Sequence, residues 1–539
     1  MSGKRVLSLY AGLLLGFAVL LCRLFWLCSN QAYASRAAAQ SLVTLSLPAR
    51  RGNFYDCAGR PLTGLQPVWY ALCLPGTGSY ARLYPYADTA GQTELYQKRN
   101  ASTPFLLEVD RDVSALGISC WPSARRYAAK PFCPHLIGYC DGEGRGVSGL
   151  EAAFDAALTG TGAGDTVQCA VTAQGTLREG RAPQLLREDS SALGVRLTIS
   201  RPIQRAVEAV AEQTMTSGCI VVLDAANGKV RACASLPDFD PEDISASLNA
   251  PGSPLVNRAF QAYAVGSVFK PVLAAAALEA GQTGLVYDCP GYLAVDGQIF
   301  RCAGGVPHGE VDLAAALEKS CNGYFIRLGQ ELGADRVRET AEKLGFGKAL
   351  ELAGSFRTAA GTLPSRETLD SSGQFANFCF GQGELTATPL QIAGMMNTVA
   401  ADGVFREPVL LDCLLDETTG EEQKPLSHPY FTGARRAFSA RTAQQLRQLL
   451  AGVVTEGTGQ EAAPAAGAAG GKTGTAQTGQ FLEGKEQKNY WFAGFYPADR
   501  PRCTIVVLQD AQTDPAGSSA AIFAAVCDQL ALLEEKSGF

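Results

Sequence analysis

Histidine is almost missing from this chain: three residues in 539, His135, His308 and His428. The string H-E-x-x-H does not occur, which excludes zinc hydrolases of that kind. No two of the 17 cysteines stand in a C-x2-C or C-x4-C pattern, so the usual cysteine-rich zinc frameworks are absent. Charge is sparse as well. With 18% charged residues and a net charge of −6, nothing supplies the basic footprint that nucleic-acid phosphates need. The ordinary apolar content, 47%, excludes a mostly disordered chain. A Ser-His-Asp triad has few candidates, so acyl-transfer or hydrolytic chemistry here would use a base other than histidine. The length suggests about two to four domains.

One long hydrophobic run is present. Val6 to Cys22 carries no charge and follows Lys4 and Arg5. With Leu24–Leu27 beyond Arg23, it is long enough for a hydrocarbon core of ~30 Å, with Arg23 snorkelling and Trp26 near headgroup level. No second run of this length follows. The expectation is a single membrane span with residues 1–30 as tip and anchor, a cytoplasmic N-terminus and the remaining chain outside the cytoplasm. A cleaved signal peptide is the rival reading, with Ala32-Tyr33-Ala34 as the small-x-small site.

Residues 31–200 alternate short apolar runs (Leu42–Leu47, Val68–Leu74, Val167–Val171) with glycine-rich turns, which reads as a β-rich domain. From 201 to 539 the pattern is α+β. Arg201–Met215 is an amphipathic helix after a Ser200 cap. Cys219–Leu223 and Lys229–Ala234 form a hairpin through Asn227-Gly228. Tyr490–Phe495 and Cys503–Leu508 are further strands, and Ala516–Leu533 is a helical stretch. A sheet drawing strands from both ends, with helices between, gives an antiparallel sheet flanked by helices.

Three short motifs lie in this second region. Ser267-Val268-Phe269-Lys270 opens an apolar run, Pro271–Leu278, that ends near Gly281. An all-apolar helix is a buried one, and Pro271 is tolerated only in its first turn. Ser267 and Lys270 then share a face, and a desolvated lysine has a lowered pKa and can serve as a base. Alone, a Ser cap beside a surface lysine would explain the string equally well. Ser320-Cys321-Asn322 lies between two amphipathic runs, where an ordinary helix–helix turn is the bland alternative. Lys472-Thr473-Gly474-Thr475 follows a run of small residues and reads as a strand edge offering a cation, hydroxyls and a close backbone approach. Their order is more specific than any one of them. Ser320 follows Lys270 by 50 residues, and Lys472 follows Asn322 by 150. S-x-x-K, S-x-N and K-T-G in this order are the set of penicillin-binding proteins and class A β-lactamases.

The surrounding sequence resembles class B penicillin-binding proteins, the monofunctional D,D-transpeptidases of the bacterial cell wall. Asn257-Arg258-Ala259 through Gly266, Gly381-Gln382-Gly383 with Thr386–Gln391, and Trp491–Phe495 are similar to blocks of that family. Arg51–Asp56 with Gly59-Arg60, and Gly149-Leu150-Glu151, are similar to blocks of its elongated pedestal. Val265, where proline is usual, Ser200, where aspartate is frequent, and Cys57 depart from the pattern.

The resemblance implies a transpeptidase domain of the penicillin-binding/β-lactamase type on a β-rich pedestal. It also implies roles. Ser267 attacks the penultimate D-Ala carbonyl of a stem peptide ending in D-Ala-D-Ala, and Lys270 takes its proton. Ser320 passes a proton to the leaving amine, and Asn322 holds the substrate amide. Lys472, Thr473 and Thr475 bind the terminal carboxylate, with Gly474 giving access. The N–H groups of Ser267 and Thr475 form the oxyanion hole. No cofactor or metal is needed. β-Lactams acylate the same serine, and the implied partner is a multispan glycan polymerase of the shape, division or sporulation family.

Rival readings are a D,D-carboxypeptidase, a β-lactam sensor and a non-catalytic wall-assembly scaffold. A hydrolytic β-lactamase is disfavoured, since no E-x-x-x-N string lies between Ser320 and Lys472. Cys289 and Cys302 flank a glycine-rich stretch before His308-Gly309 that is similar to a region of sporulation-type members. They are near enough in sequence for a disulfide, whose loop of ~15 residues would contribute ~3 kcal/mol. The other cysteines are expected to be mostly buried free thiols.

Overall fold

The computed structural model describes residues 3–30, 33, 41–48, 50–76, 78–161, 164–172, 174–188, 191–353, 355–423 and 433–537. His428 and the alanines of the 32–34 cleavage motif lie outside them. Helix α1, Gly3–Ser29, is the expected apolar segment. By length and composition it can cross a membrane, and none of its residues is buried. The Arg23 guanidinium lies 4.7 Å from the Trp26 ring centroid.

The chain divides into two compact units. The first gathers Met1–Arg51, Gly64–Arg126 and Gly160–Ser191. It is β-rich, with Thr166–Ala170 pairing between Leu42–Ser46 and Gln184–Leu186, and Gln66–Cys73 between Phe105–Val109 and Cys120–Arg125. The second gathers Gly52–Thr63, Tyr127–Thr159 and Ala192–Phe539. The boundary expected at residue 200 does not coincide with this division. The Gly52–Arg60 and Gly149–Glu151 blocks, read from sequence as pedestal, fall in the second unit.

Asp56 shows what the first of these blocks does there. Its side chain is fully buried, and it accepts hydrogen bonds from Ala58 N, Arg60 N and Arg60 Nε at 2.8–2.9 Å. It also accepts from Arg201 N at 3.1 Å. Arg201 begins helix α2, Arg201–Thr214, whose Ser200 cap makes no side-chain hydrogen bond. The capping oxygen expected from Ser200 is thus supplied by Asp56, which satisfies one of the orphan amides of that helix end.

The second unit is built on a five-stranded sheet. Strands β1 (Gly218–Asp224) and β2 (Val230–Leu236) form the expected hairpin. Helices α3 (Lys270–Ala280), α4 (Asn322–Leu332), α5 (Pro389–Ala400) and α6 (Ala440–Thr455) follow. The chain then returns as β3 (Gly470–Leu482), β4 (Lys485–Tyr496) and β5 (Cys503–Gln512), and ends in α7 (Ser519–Ser537). The order is β2-β1-β5-β4-β3, antiparallel throughout, so β3 is an edge.

Both faces of the sheet are covered, which explains the unbroken apolar runs in β1 and β5. On one face α2 and α7 pack Val207, Val210, Phe523 and Val526 against Ile220, Val222, Ile505 and Val507. On the other, α5 lies against β1, β4 and β5 with every residue buried. Water cannot reach the amides at its start, so side chains satisfy them. Thr388 and Gln391 form a reciprocal capping box, and Gln391 Nε2 also donates to Ala360 O and Lys348 O at 2.8 and 2.9 Å.

Removing the buried Asp56 carboxylate takes the partner from several partly buried amides at once. Asp56→Ala should lower stability by about 1–3 kcal/mol. The midpoint of thermal denaturation checks it, and an unchanged midpoint would contradict this account of the block.

Candidate active site

The segment before Ser267 is tied to the sheet at several points. Arg258 donates from Nε to Asp510 Oδ2 at 2.9 Å and from Nη2 to Gly252 O at 2.6 Å. Burial pushes the Asp510 carboxyl up, and the Arg258 guanidinium pulls it back down. Tyr263–Ala264 pairs with Thr386–Ala387, and Trp491 Nε1 donates to Ala264 O at 3.0 Å.

Gly266 then makes a left-handed turn, φ +64°, and donates its N–H to Gly381 O at 2.7 Å. A Cβ on Gly266 would sit 2.7 Å from Thr475 O, and one on Gly381 would sit 2.0 Å from Gly266 O. The turn is therefore wedged between β3 and the Gly381 loop, and only glycine fits either contact. Ser267 follows, half-buried, in a single 3-10 turn, Gly266–Phe269, that runs into α3. Pro271 sits in the first turn of α3, and Gly281 caps its end with φ +66°.

Lys270 is the first residue of α3, and its side chain is wholly buried. Its Nζ lies 2.6 Å from Ser320 O, 2.8 Å from Asn322 Oδ1 and 3.0 Å from Ser320 Oγ. Desolvation pulls its pKa down to about 7. Burial favours the neutral amine. Nζ donates to all three oxygens, and because none of them is a carboxylate nothing offsets the cost of burying a charge there. Among the described residues no hydrogen bond joins Ser267 Oγ to Lys270, so the structure brings Lys270 to Ser320 and Asn322 first.

Ser320 owes its position to a helix end. The helix Leu313–Glu318 closes with Cys321 N donating to Ala316 O at 2.9 Å and Ser320 N to Leu317 O at 3.3 Å. This is a Schellman end, whose left-handed position is usually glycine. Ser320 occupies it with φ +53°, a strained conformation for a residue with a Cβ. Asn322 opens α4, with Cys321 as its cap residue, and its Nδ2 donates to Arg301 O at 2.8 Å.

Strand β3 closes the site. Alternation places Lys472 and Gly474 on one face and Thr473 and Thr475 on the other. A Cβ on Gly474 would lie 2.9 Å from Val268 Cγ1, so the strand passes directly over the Ser267 turn. Lys472 is fully buried, and its Nζ bonds only Thr473 O and Thr473 Oγ1, both at 3.2 Å, among the described residues. Desolvation first, then the charge of Lys270, holds its pKa well below the usual lysine range. Thr473 Oγ1 is 2.9 Å from Thr458 Oγ1, and Thr475 is exposed.

Sequence reasoning gave no role to Gly381 or Thr458, although Gly381 lay within a quoted block. It also misjudged Cys289 and Cys302. Their Sγ atoms are 3.7 Å apart, whereas a disulfide needs about 2.05 Å. All 17 cysteines are free thiols, and those beyond α1 are buried or partly buried.

A family model described as the penicillin-binding protein transpeptidase domain matches residues 218–528. Stage V sporulation protein D of Bacillus subtilis is 30% identical over 405 residues, 72% of this chain and 60% of that protein. The chain thus spans less than two thirds of that relative's length. Peptidoglycan D,D-transpeptidase MrdA of Haemophilus influenzae is 25% identical over 585 residues, 94% of this chain and 88% of its own. A solved structure described as the structural coordination of polymerization and crosslinking by a peptidoglycan synthase complex superposes with a TM-score of 0.69. It is 25% identical and covers 100% of this chain and 99% of the other.

Gly474→Val should push Val268 and the Ser267 turn out of place. Acylation by a labelled penicillin should slow about 10- to 100-fold with little change in the melting midpoint. Unchanged acylation would show that β3 does not set the position of the turn.

Proposed function

The chain belongs to the class B penicillin-binding proteins, and on that premise we propose that it cross-links peptidoglycan stem peptides as a serine D,D-transpeptidase. The observation that carries the reading is the Lys270 amine, buried at the foot of the Ser267 turn and held by Ser320 and Asn322. A lysine with no counter-ion in such a place is a poor structural element and a good base.

Ser267 Oγ attacks the penultimate D-Ala carbonyl while its proton passes to Lys270 Nζ. The oxyanion forms against the N–H groups of Ser267 and Thr475. Collapse expels the terminal D-Ala, whose amine takes a proton through Ser320. The amine of a second stem peptide then attacks the Ser267 ester, giving the cross-link and returning the proton to Oγ. Lys472, buried with only weak partners from Thr473, offers an amine that the substrate's terminal carboxylate would hold protonated, with Thr473 and Thr475 beside it. Gly474 leaves room for the donor peptide to lie along the edge strand. Asn322 positions its amide.

β-Lactams trap the same serine as a stable ester. Helix α1 anchors the protein in the cell membrane as a single span, with the catalytic unit on the outer side. A multispan glycan polymerase is the partner. That reading is supported by the likeness to a chain from a structure described as a peptidoglycan synthase complex.

A gel with labelled penicillin tests the nucleophile. Wild type should carry a long-lived adduct and Ser267→Ala none; an adduct that survives the substitution refutes the assignment. Lys270→Arg keeps a cation that stays protonated, so acylation should fall about 10²- to 10⁴-fold. On a stem peptide with an added amine acceptor, the cross-linked product should exceed the hydrolysed one. Hydrolysis alone would mark a carboxypeptidase.

A further inference from the structure

Beside the Ser320–Asn322 loop lies a cluster that the proposed reaction does not use. Cys289, Cys302, His308 and Cys321 turn one donor atom each toward a common centre, all within 4.8 Å of one another. Cys289 Sγ is 3.7 Å from Cys302 Sγ and 3.6 Å from His308 Nδ1, and Cys302 Sγ is 3.9 Å from Cys321 Sγ. These three distances match edges of a coordination tetrahedron. With zinc–sulfur bonds near 2.3 Å and a zinc–nitrogen bond near 2.05 Å, the edges come to about 3.8 Å for S···S and about 3.6 Å for S···N. Two sulfurs in plain contact can lie this close, but here four donor atoms, the His308 nitrogen among them, converge on one centre.

The surroundings point the same way. Backbone N–H groups are aimed at each sulfur: Gly291 at Cys289, Asn322 and Gly323 at Cys302, and Tyr324 at Cys321. Such donors suit thiolates. The cysteines are buried and His308 is half-exposed, so the set is closed and of N/S type, which suits zinc in a structural role. The local fold also needs a tie. Tyr287–Val311 is a small excursion of two short strand pairs, Tyr287–Cys289 with Gly309–Val311 and Tyr292–Val295 with Gln298–Arg301. Beside the cysteines it buries Leu293, Val295, Phe300 and Val311, and small elements of this kind depend on staples.

We propose that Cys289, Cys302, His308 and Cys321 bind one structural zinc ion, and that this ion clamps the loop carrying Ser320 and Asn322. Cys321 is the residue between those two. Its bond to the ion would fix the strained left-handed Ser320 and the start of α4, while Arg301 O, one residue before Cys302, holds Asn322. Binding displaces three thiol protons and involves no redox change. The metal-free site expected from the sequence is revised accordingly. The four residues are positioning residues and touch no reacting atom.

The full chain, purified in detergent with reductant from zinc-supplemented cells and dialysed, should hold one zinc per chain by elemental analysis. Cys289→Ser and Cys302→Ser should lose it, and Cys120→Ser should keep it. His308→Cys should retain the ion where His308→Ala does not, a rescue that separates ligation from general misfolding. Cobalt exchanged into the wild type should show the intense bands of tetrahedral thiolate coordination. Removing zinc with a chelator should slow penicillin acylation about 10- to 100-fold, and adding zinc should restore it.

Protein holding no stoichiometric zinc, or iron in its place, overturns the site, as does a Cys289–Cys302 disulfide in mass mapping. Zinc-free protein that acylates at the full rate overturns the clamp. The acylation arm rests on the proposed function, whereas the metal count does not. A stoichiometric ion in a protein without a Ser267 adduct would therefore sink that function and leave the site standing.

Discussion

The constraint on which the catalytic unit turns is the burial of an amine without a carboxylate to meet it. Lys270 Nζ is out of contact with solvent, and its partners among the described residues are two carbonyl oxygens and a hydroxyl. Burying an unpaired charge is costly, so the neutral form is favoured. Everything that supplies those partners comes from a different part of the chain. Ser320 and Asn322 belong to the junction between two helices, and Lys270 to the start of a third. The apolar residues of α3 around the amine suit the same need, since a carboxylate beside it would restore the ammonium form.

Close approach is the second theme. The Ser267 turn is held between β3 and the Gly381 loop by contacts at which a single added carbon would collide with backbone. Three glycines, 266, 381 and 474, create that space from separate stretches of sequence. Ser320 is the complement to this pattern. It stands where glycine would be relaxed, because its hydroxyl is needed at that point. Strain at Ser320 and close fit at the three glycines are two sides of one arrangement, in which backbone geometry is spent on placing polar atoms.

Much of this was legible from residue order. The apolar run after Lys270, Pro271 and Gly281 fixed α3, Asn227-Gly228 fixed the first hairpin, and the three motifs marked the site. What escaped was long-range. Ser200 looks like a cap, yet the capping oxygen comes from Asp56, far away in sequence. Arg51–Asp56 resembles a pedestal block, and from Gly52 onward it packs within the second compact unit. The cysteine cluster escaped because none of its spacings is short. Its members follow one another as C-x12-C-x5-H-x12-C, with each gap bridged by a strand pair or a helix. Only the Cys289–Gly309 register and the α4 cap bring them together, and no local pattern records either.

The sheet order has a consequence for how the enzyme comes into being. β1 pairs with β5, so Val222 waits for Ile505, which is synthesised nearly three hundred residues later. Until β5 arrives, the first hairpin has an open edge and β3 has no sheet to belong to. The Ser267 segment is made long before the strand that presses on it. A nascent chain therefore carries the Ser267 turn without the strand that packs over it, and the arrangement is completed only when β3, β4 and β5 join the sheet. High contact order is usually counted as a handicap in folding. Here it also delays the close contact between the Ser267 turn and β3 until the later strands have been made.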